Sequence, residues 1–347
     1  MNEANELSAI VTEQAGRLLQ QRVTKEVLLA ADQGEWQAGL WREVEKAGLP
    51  LALLSEAAGG VGLGAVDALG LVRQAGYHAL PLPLPEHMLA ARLWCEAGGD
   101  LPEGVITLAP ETLGLTQGCI QGDAKRVPWG AVADHLLLLL RDAAGALHLA
   151  LLPKGVAKAQ SRRNVAYEPR DTLLCDGLAV KTLPAPAAIG ADGLLPLGAL
   201  LRAQQMVGAM ERALDHGLDY ANERVQFGRA IGKFQAVQHM LAVAAGHLAA
   251  ATAAADMAVE AWDSDGFGFA IAVAKARVGE AASEVAAISH QVHGAMGFTQ
   301  EHPLHFATRR LWSWRDEFGN ESLWQQRLGD LVCAQGGEKL WSLLTAT

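Results

Sequence analysis

ERVQFGRAIGKFQ (Glu223–Gln235) and QVHGAMGFTQEHP (Gln291–Pro303) are the stretches on which the reading of this chain turns. In the first, Arg224, Arg229 and Lys233 surround Phe227-Gly228 where a long helix should end, a place suited to an anionic group, and arginine can fork onto a diphosphate. A basic helix C-terminus closed by a glycine cap accounts for the same spacing. In the second, Gly294 and Gly297 interrupt a helical pattern and would let a ligand lie close to the backbone. A plain helix stop before a turn at Pro303 fits it as well.

Around these stretches the apolar spacing is helical. Ala203, Met206, Met210, Leu214 and Leu218 share one face, Val237, Leu241, Ala244 and Leu248 another, and Ile271, Ala274, Val278, Ala281 and Val285 a third. Three long helices follow, and alanine-rich faces such as AAGHLAAATAAADM allow the close approach of a bundle. Upstream, Leu7, Ile10, Val11, Leu18 and Leu19, then Trp36, Leu40, Trp41 and Val44, read as further helices, with loops at Ala57–Gly64 and at PLPLPEH (Pro81–His87). Between roughly Val105 and Val180 short apolar strings replace the helical pattern, and HLLLLL and ALHLALL separated by RDAAG form a hairpin signal.

At 347 residues, half of them apolar, the chain has enough length for two or three domains with a large core. A net charge of −10 argues against nucleic acid and anionic membranes as partners. The longest single-type aliphatic run, Leu136–Leu140, is far short of the ~20 residues of a membrane span, so no membrane insertion is expected. The acidic MNEANELSAI start does not look like a signal peptide, and a cytoplasmic protein is expected. Four cysteines lie far apart without metal-ligand spacing. His239 and His247 share a helix face without carboxylate partners, so no metal site is assigned. GGVGLG (Gly59–Gly64) brings its third glycine one residue early for a dinucleotide loop, and the GxSxG, HExxH and P-loop patterns do not occur.

Taken together, ER-x-x-FG-x-x-I-x-x-FQ, a long helical stretch, Q-x-x-G-x-x-G-F-x-x-E-x-P and an arginine-rich helix resemble the acyl-CoA dehydrogenase family in wording and order. GLPLALLSEAAGGVGLG is similar to its N-terminal helical segment, and IQGDAKRVPWGAVADHLLLLLR to its middle β-domain. The resemblance implies an α+β, mainly α chain: an N-terminal helical domain (1–104), a small middle β-barrel-like domain (105–188) and a C-terminal four-helix bundle (189–347) for FAD binding and oligomerisation. FAD would lie between domains and across a subunit interface. The match implies that Arg224 and Gln226 grip the FAD diphosphate and that Phe234 and Gln235 flank its ribityl or adenosine part. Gln291, His293, Gly294 and Ala295 would finish the cofactor site of a neighbouring subunit, in a homodimer, homotetramer or heterotetramer.

The reaction implied is α,β-dehydrogenation of an acyl-CoA thioester to the 2,3-enoyl-CoA, in fatty acid or steroid side-chain degradation, with electrons passing to an acceptor such as an electron-transfer flavoprotein. A carboxylate must take the α-proton while the thioester oxygen is hydrogen-bonded. Here the chain departs from the pattern. Ungapped counting from Gln291 puts the base position on Phe318, inside RDEFGNES, and the other place where members carry a base aligns with Gly198–Ala199. A one-residue shift would give the role to Glu317, although Arg309, Arg310 and Arg315 stand nearby as salt-bridge partners for it and for Asp316. The flavin-facing tryptophan falls on Val127 by counting, with Trp129 close by, and the strand before it is short. Two readings result: a dehydrogenase using Glu317, and a base-less subunit that completes the FAD site of a catalytic partner in a heteromeric dehydrogenase. Other flavin chemistry on this fold, nitroalkane oxidation or monooxygenation, is a third.

Overall fold

The computed structural model describes residues 3–345; Met1, Asn2, Ala346 and Thr347, at the outer ends of the expected domains, lie outside them. Five helices come first: α1 (Glu3–Arg22), α2 (Lys25–Gln33), α3 (Ala38–Lys46), α4 (Ala65–Tyr77) and α5 (Leu84–Glu96). α5 begins inside the proline-rich segment assigned to a loop. Its Pro85 occupies the first turn, where no intrahelical N–H is required, so proline starts this helix instead of preventing it.

Eight strands follow: β1 (Ile106–Thr116), β2 (Cys119–Gln121), β3 (Ala124–Pro128), β4 (His135–Asp142), β5 (Leu147–Pro153), β6 (Lys158–Gln160), β7 (Arg170–Leu174) and β8 (Leu183–Pro184). One sheet has the order β2-β1-β4-β5-β8 and the other β3-β7-β6. β4 and β5 form the expected antiparallel hairpin, with His135 opposite Pro153 and Arg141 opposite Leu147. β4 is almost all leucine because both its faces are covered. Leu136, Leu138 and Leu140 enter the core between the sheets, while Leu137 and Leu139 point the other way, into a core shared with α5 and the next helix.

The C-terminal part comprises α6 (Leu195–Glu223), a short hairpin of β9 (Val225–Gln226) and β10 (Arg229–Ala230), α7 (Gln235–Glu260), α8 (Phe267–His293), α9 (Leu304–Asp316), α10 (Glu321–Gln335) and α11 (Leu340–Thr345). Met206, Met210, Ala244, Ala251, Val278, Val285, Leu311 and Trp314 form the core of the bundle of α6 to α9. Glycines let α4 and α6 cross closely: a β-carbon at Gly76 would strike the Gln205 carbonyl, and one at Gly208 the Arg73 carbonyl.

α7 corrects the expectation that no segment is long and apolar enough to span a membrane. It passes that test with a mean hydropathy of 1.4, and only 28% of its apolar window is buried. Its hydropathy comes from dispersed alanines, which a search for unbroken aliphatic runs passes over.

Candidate functional site

α6 stops at Glu223 because Arg224 turns extended, and the chain reverses in a two-residue turn, Phe227-Gly228. Both take left-handed backbone, φ 51° and 78°, as such a hairpin turn requires. Gly228 is therefore a hairpin residue and not a helix cap. Arg224, Gln226 and Arg229 face water, Phe227 is 92% exposed, and the Arg229 guanidinium lies 4.2 Å over the Phe234 ring. Gln235, also exposed, opens α7.

α8 ends at His293 because Gly294 adopts φ 58°, ψ −140°, a conformation for glycine. Gln291, Gly294 and Ala295 are exposed. His293 is turned into its own chain: it stacks on Tyr220 at the end of α6, ring centres 4.6 Å apart, and its Nδ1 donates to Ser289 O at 2.7 Å. The stack sets both stretches at the same end of the bundle. His302 lies 4.3 Å from His293 and 5.4 Å from His216. Burial lowers the pKa of His302 to about 4 and that of His216 to about 3, so the cluster is neutral at neutral pH.

At the expected base position Phe318, with φ 54°, lays its ring against Gly198 on α6, where a β-carbon would overlap the ring atoms. The two places where the family carries its base thus touch, and neither has a carboxylate. The loop that presents Phe318 is pinned at three carbonyls. Lys275, fully buried on α8, donates to Arg315 O at 2.7 Å and Gly319 O at 2.6 Å, and Trp324 Nε1 donates to Phe318 O at 3.0 Å.

Glu317 is held between two arginines, but not those near it in sequence. α9 ends at Asp316, and the extended backbone of Glu317 swings its side chain off the helix face. Arg170 Nε meets its Oε1 at 2.7 Å and Arg202 Nε its Oε2 at 2.7 Å. Arg309 pairs instead with Asp32, Arg310 with Glu168 and Arg315 with Glu321. Burial alone would raise the Glu317 pKa, but Arg170 and Arg202 outweigh it and bring it down to about 2. A carboxylate with both oxygens in ion pairs and so low a pKa is a poor proton acceptor.

The network continues in both directions: Arg202 to Glu86 on α5 at 2.6 Å, and Arg170 to Glu168 at 2.9 Å, whose carboxylate also accepts from Trp314 Nε1. It joins the N-terminal helices, the middle sheets and the bundle. The cavity beside it, lined by Trp36, Trp129, Ala166, Glu168 and Arg310, measures about 40 Å³, against the ~300 Å³ or more of a small-molecule site. Trp129 is buried, with the Arg170 guanidinium 5.4 Å from its ring.

The residues therefore fit FAD in part. Beyond Gly228 and Gly294 no atom lies within 4 Å of where a β-carbon would stand, so those backbones, with exposed Arg224 and Gln226, can meet a diphosphate group. The cavity beside Trp129 and Glu168, at about 40 Å³, is smaller than a flavin-ring site. Glu86, Glu168, Arg170, Arg202 and Lys275 were missed in the sequence. A signal existed for Arg202, a lone charge within LGALLRAQQMVGAM.

A family model described as acyl-CoA dehydrogenase, C-terminal domain, matches residues 191–317. Acyl-CoA dehydrogenase IpdE2 of Mycobacterium tuberculosis is 29% identical over 294 residues, covering 81% of this chain and 82% of that protein. IpdE2 of Mycolicibacterium smegmatis is 28% identical over 315 residues, covering 89% and 93%. Among solved structures, a variant of the Tcur3481-Tcur3483 steroid ACAD superposes with a TM-score of 0.86 at 27% identity, over 96% of this chain and 99% of that one. The ChsE4-ChsE5 complex from Mycobacterium tuberculosis gives 0.85 at 22% identity, over 95% and 97%, a likeness of fold.

Proposed function

The chain belongs to the acyl-CoA dehydrogenase family, and on that premise we propose that it is the base-less subunit of a heteromeric enzyme, completing the FAD site of a catalytic partner. The chemistry it serves is FAD-dependent α,β-dehydrogenation of an acyl-CoA thioester to the 2,3-enoyl-CoA, for which FAD, when bound, would supply the hydride acceptor. The observation that carries the proposal is the contact of Phe318 with Gly198, which leaves both base positions without a proton acceptor. The Glu317 ion pairs support it, because they occupy the one adjacent carboxylate.

In this reading Arg224 and Gln226 hold the outer, diphosphate part of the cofactor, with Phe234 and Gln235 beside it, while Gln291, Gly294 and Ala295 close over it from this chain's side. The exposed small-residue face of α7 is a subunit contact and not a membrane span. The Tcur3481-Tcur3483 steroid ACAD, whose description couples two designations, is a precedent for a two-chain assembly and for a steroid-derived acyl group. An electron-transfer flavoprotein is the proposed acceptor of the partner's electrons.

The test is to purify the chain alone, record bound flavin, and add acyl-CoA thioesters without oxygen. The expected outcome is no retained flavin and no bleaching. Flavin that is retained and bleaches with any thioester would overturn the subunit reading in favour of independent dehydrogenation through Glu317.

A further inference from the structure

The two sheets of the middle domain part at one end. β4 begins and β5 ends there, with His135 opposite Pro153 and Leu136 opposite Leu152. The chain then crosses to the second sheet through a tight turn, in which Val156 N donates to Pro153 O at 3.3 Å and Gly155 takes φ 85°. It resumes as β6, whose Ala159 lies opposite Leu173 of β7. Between these strand ends is a cavity of about 460 Å³, inside the ~300–1,000 Å³ range of small-molecule sites. The described residues that line it all fall between Gly130 and Leu173, and none of them lines the cavity beside Trp129.

Its floor is the open edge of the core between the sheets. Leu136, Leu152 and Leu173, each 5 or 6% exposed, belong to that core and line the cavity. The space persists because the residues beside them, Ala131, Ala133, Ala157 and Ala159, are too short to fill it. The rim is basic. Lys154 and Lys158 line it, and no carboxylate does among the described residues. Lys154 Nζ donates to Val132 O at 2.8 Å, which ties its ammonium to the rim. The neighbouring acids are already engaged with backbone: Asp134 accepts from Val105 N, and Asp171 from Ala131 N and Arg162 N. His135 lines the cavity as well. Its Nε2 lies 3.2 Å from Glu103 O, which can only accept, so Nε2 carries the proton and Nδ1 is a bare acceptor, buried and without a partner.

We propose that this cavity binds a small apolar carboxylic acid, its hydrocarbon part on Leu136, Leu152 and Leu173 and its carboxylate at Lys154 and Lys158. The charge of the rim selects the head group, since two ammonium groups without a carboxylate among them favour an anion and repel a cation. The leucine floor selects the tail, because a short hydrophilic anion would leave it uncovered. An acid proton is also the donor that His135 Nδ1 lacks. The site does not depend on the subunit reading above: it needs no base, flavin or second chain.

The full chain is titrated calorimetrically with decanoate, decanol and acetate, and nuclear Overhauser contacts are recorded between decanoate and the leucine methyl groups. The expected result is saturable binding of decanoate with contacts to Leu136, Leu152 and Leu173, decanol weaker by about 10-fold or more for want of the charge-assisted contact, and no saturable binding of acetate. Lys158→Glu, at an exposed position, should weaken decanoate by a similar factor and leave the circular dichroism unchanged. Ala157→Trp, which fills the mouth, should abolish binding. If Ala157→Trp fails to fold, Lys158→Glu and the methyl contacts decide. No saturable uptake of decanoate, uptake without contacts to these leucines, decanol or acetate bound as tightly, or undiminished binding by either folded variant overturns the proposal.

Discussion

Glu317 Oε2 and Arg202 Nε lie 2.7 Å apart in a partly buried contact, and Arg170 holds the other oxygen of the same carboxylate. Because the Glu317 pKa is lowered from 4.5 to about 2, its stabilisation is present in full above pH 4.5 and is lost as pH falls toward 2. Glu317→Gln leaves two buried arginines short of an anion and should lower stability by about 3 kcal/mol, read from urea unfolding at pH 7. A general base would behave otherwise, losing turnover with little change in stability.

Lys275 gives a pH signature of the same sign in a higher window. Burial lowers its pKa from 10.5 to about 7, so between those values the unfolded chain binds a proton that the folded chain lacks. Stability contributed by this site therefore rises as pH increases from 7 to 10.5. The wild-type-minus-variant curve should climb between pH 7 and 10.5, because Lys275→Met should lack that rise. It should also free the Arg315 and Gly319 carbonyls, loosening the loop that carries Phe318, which hydrogen exchange at residues 316–320 would register as faster opening.

Acid should loosen the end of the bundle that carries Arg224, Gln226, Gln291 and Gly294. Folded His216 and His302 titrate near 3 and 4, well below the usual 6.5, first because they are buried. Their contribution is intact above pH 6.5 and falls as pH drops toward 4, by up to about 1.4 kcal/mol per pH unit for each histidine. Unfolding midpoints at pH 7 and pH 5 measure the loss. The double variant His216→Gln, His302→Gln should show a shallower fall.

Arg224→Ala should leave fold and stability unchanged, since the side chain is exposed, and should reduce FAD retention by the assembled enzyme. Removing a charge-assisted contact costs about 1.5–3 kcal/mol, roughly 10- to 100-fold in affinity. Flavin absorbance per assembly after gel filtration is the readout, and undiminished flavin would place the diphosphate elsewhere.

Phe318→Glu should not convert the isolated chain into a dehydrogenase. The new carboxylate would stand beside Glu317 and near Arg202, whose guanidinium lies 5.8 Å from the Phe318 ring, and so would be drawn into the same ion-pair network. Anaerobic acyl-CoA addition with FAD supplied in solution checks this, and bleaching would refute it.

What the sequence conveyed was periodic or local. The leucines of β4 and β5 announced their hairpin, and the heptad-like spacing of α6 to α8 announced the bundle, because both signals lie within a few residues. Pro85 misled because its meaning depends on whether it falls in a first turn. The partners of Glu317 were unreadable for another reason. Arg170 and Arg202 are 147 and 115 positions away, and only the meeting of three parts of the chain brings them together, whereas Arg309, Arg310 and Arg315 looked close merely in counting. The phenylalanine at the expected base position, by contrast, was visible as Phe318, and the structure adds that its ring lies on Gly198.

That contact also bears on reversibility in evolution. With the ring in place, any side chain at 198 collides with it, and a carboxylate introduced at 318 enters a site already balanced around Glu317 and its arginines. A lineage that has placed phenylalanine over glycine here has no one-step return to a free carboxylate at either position.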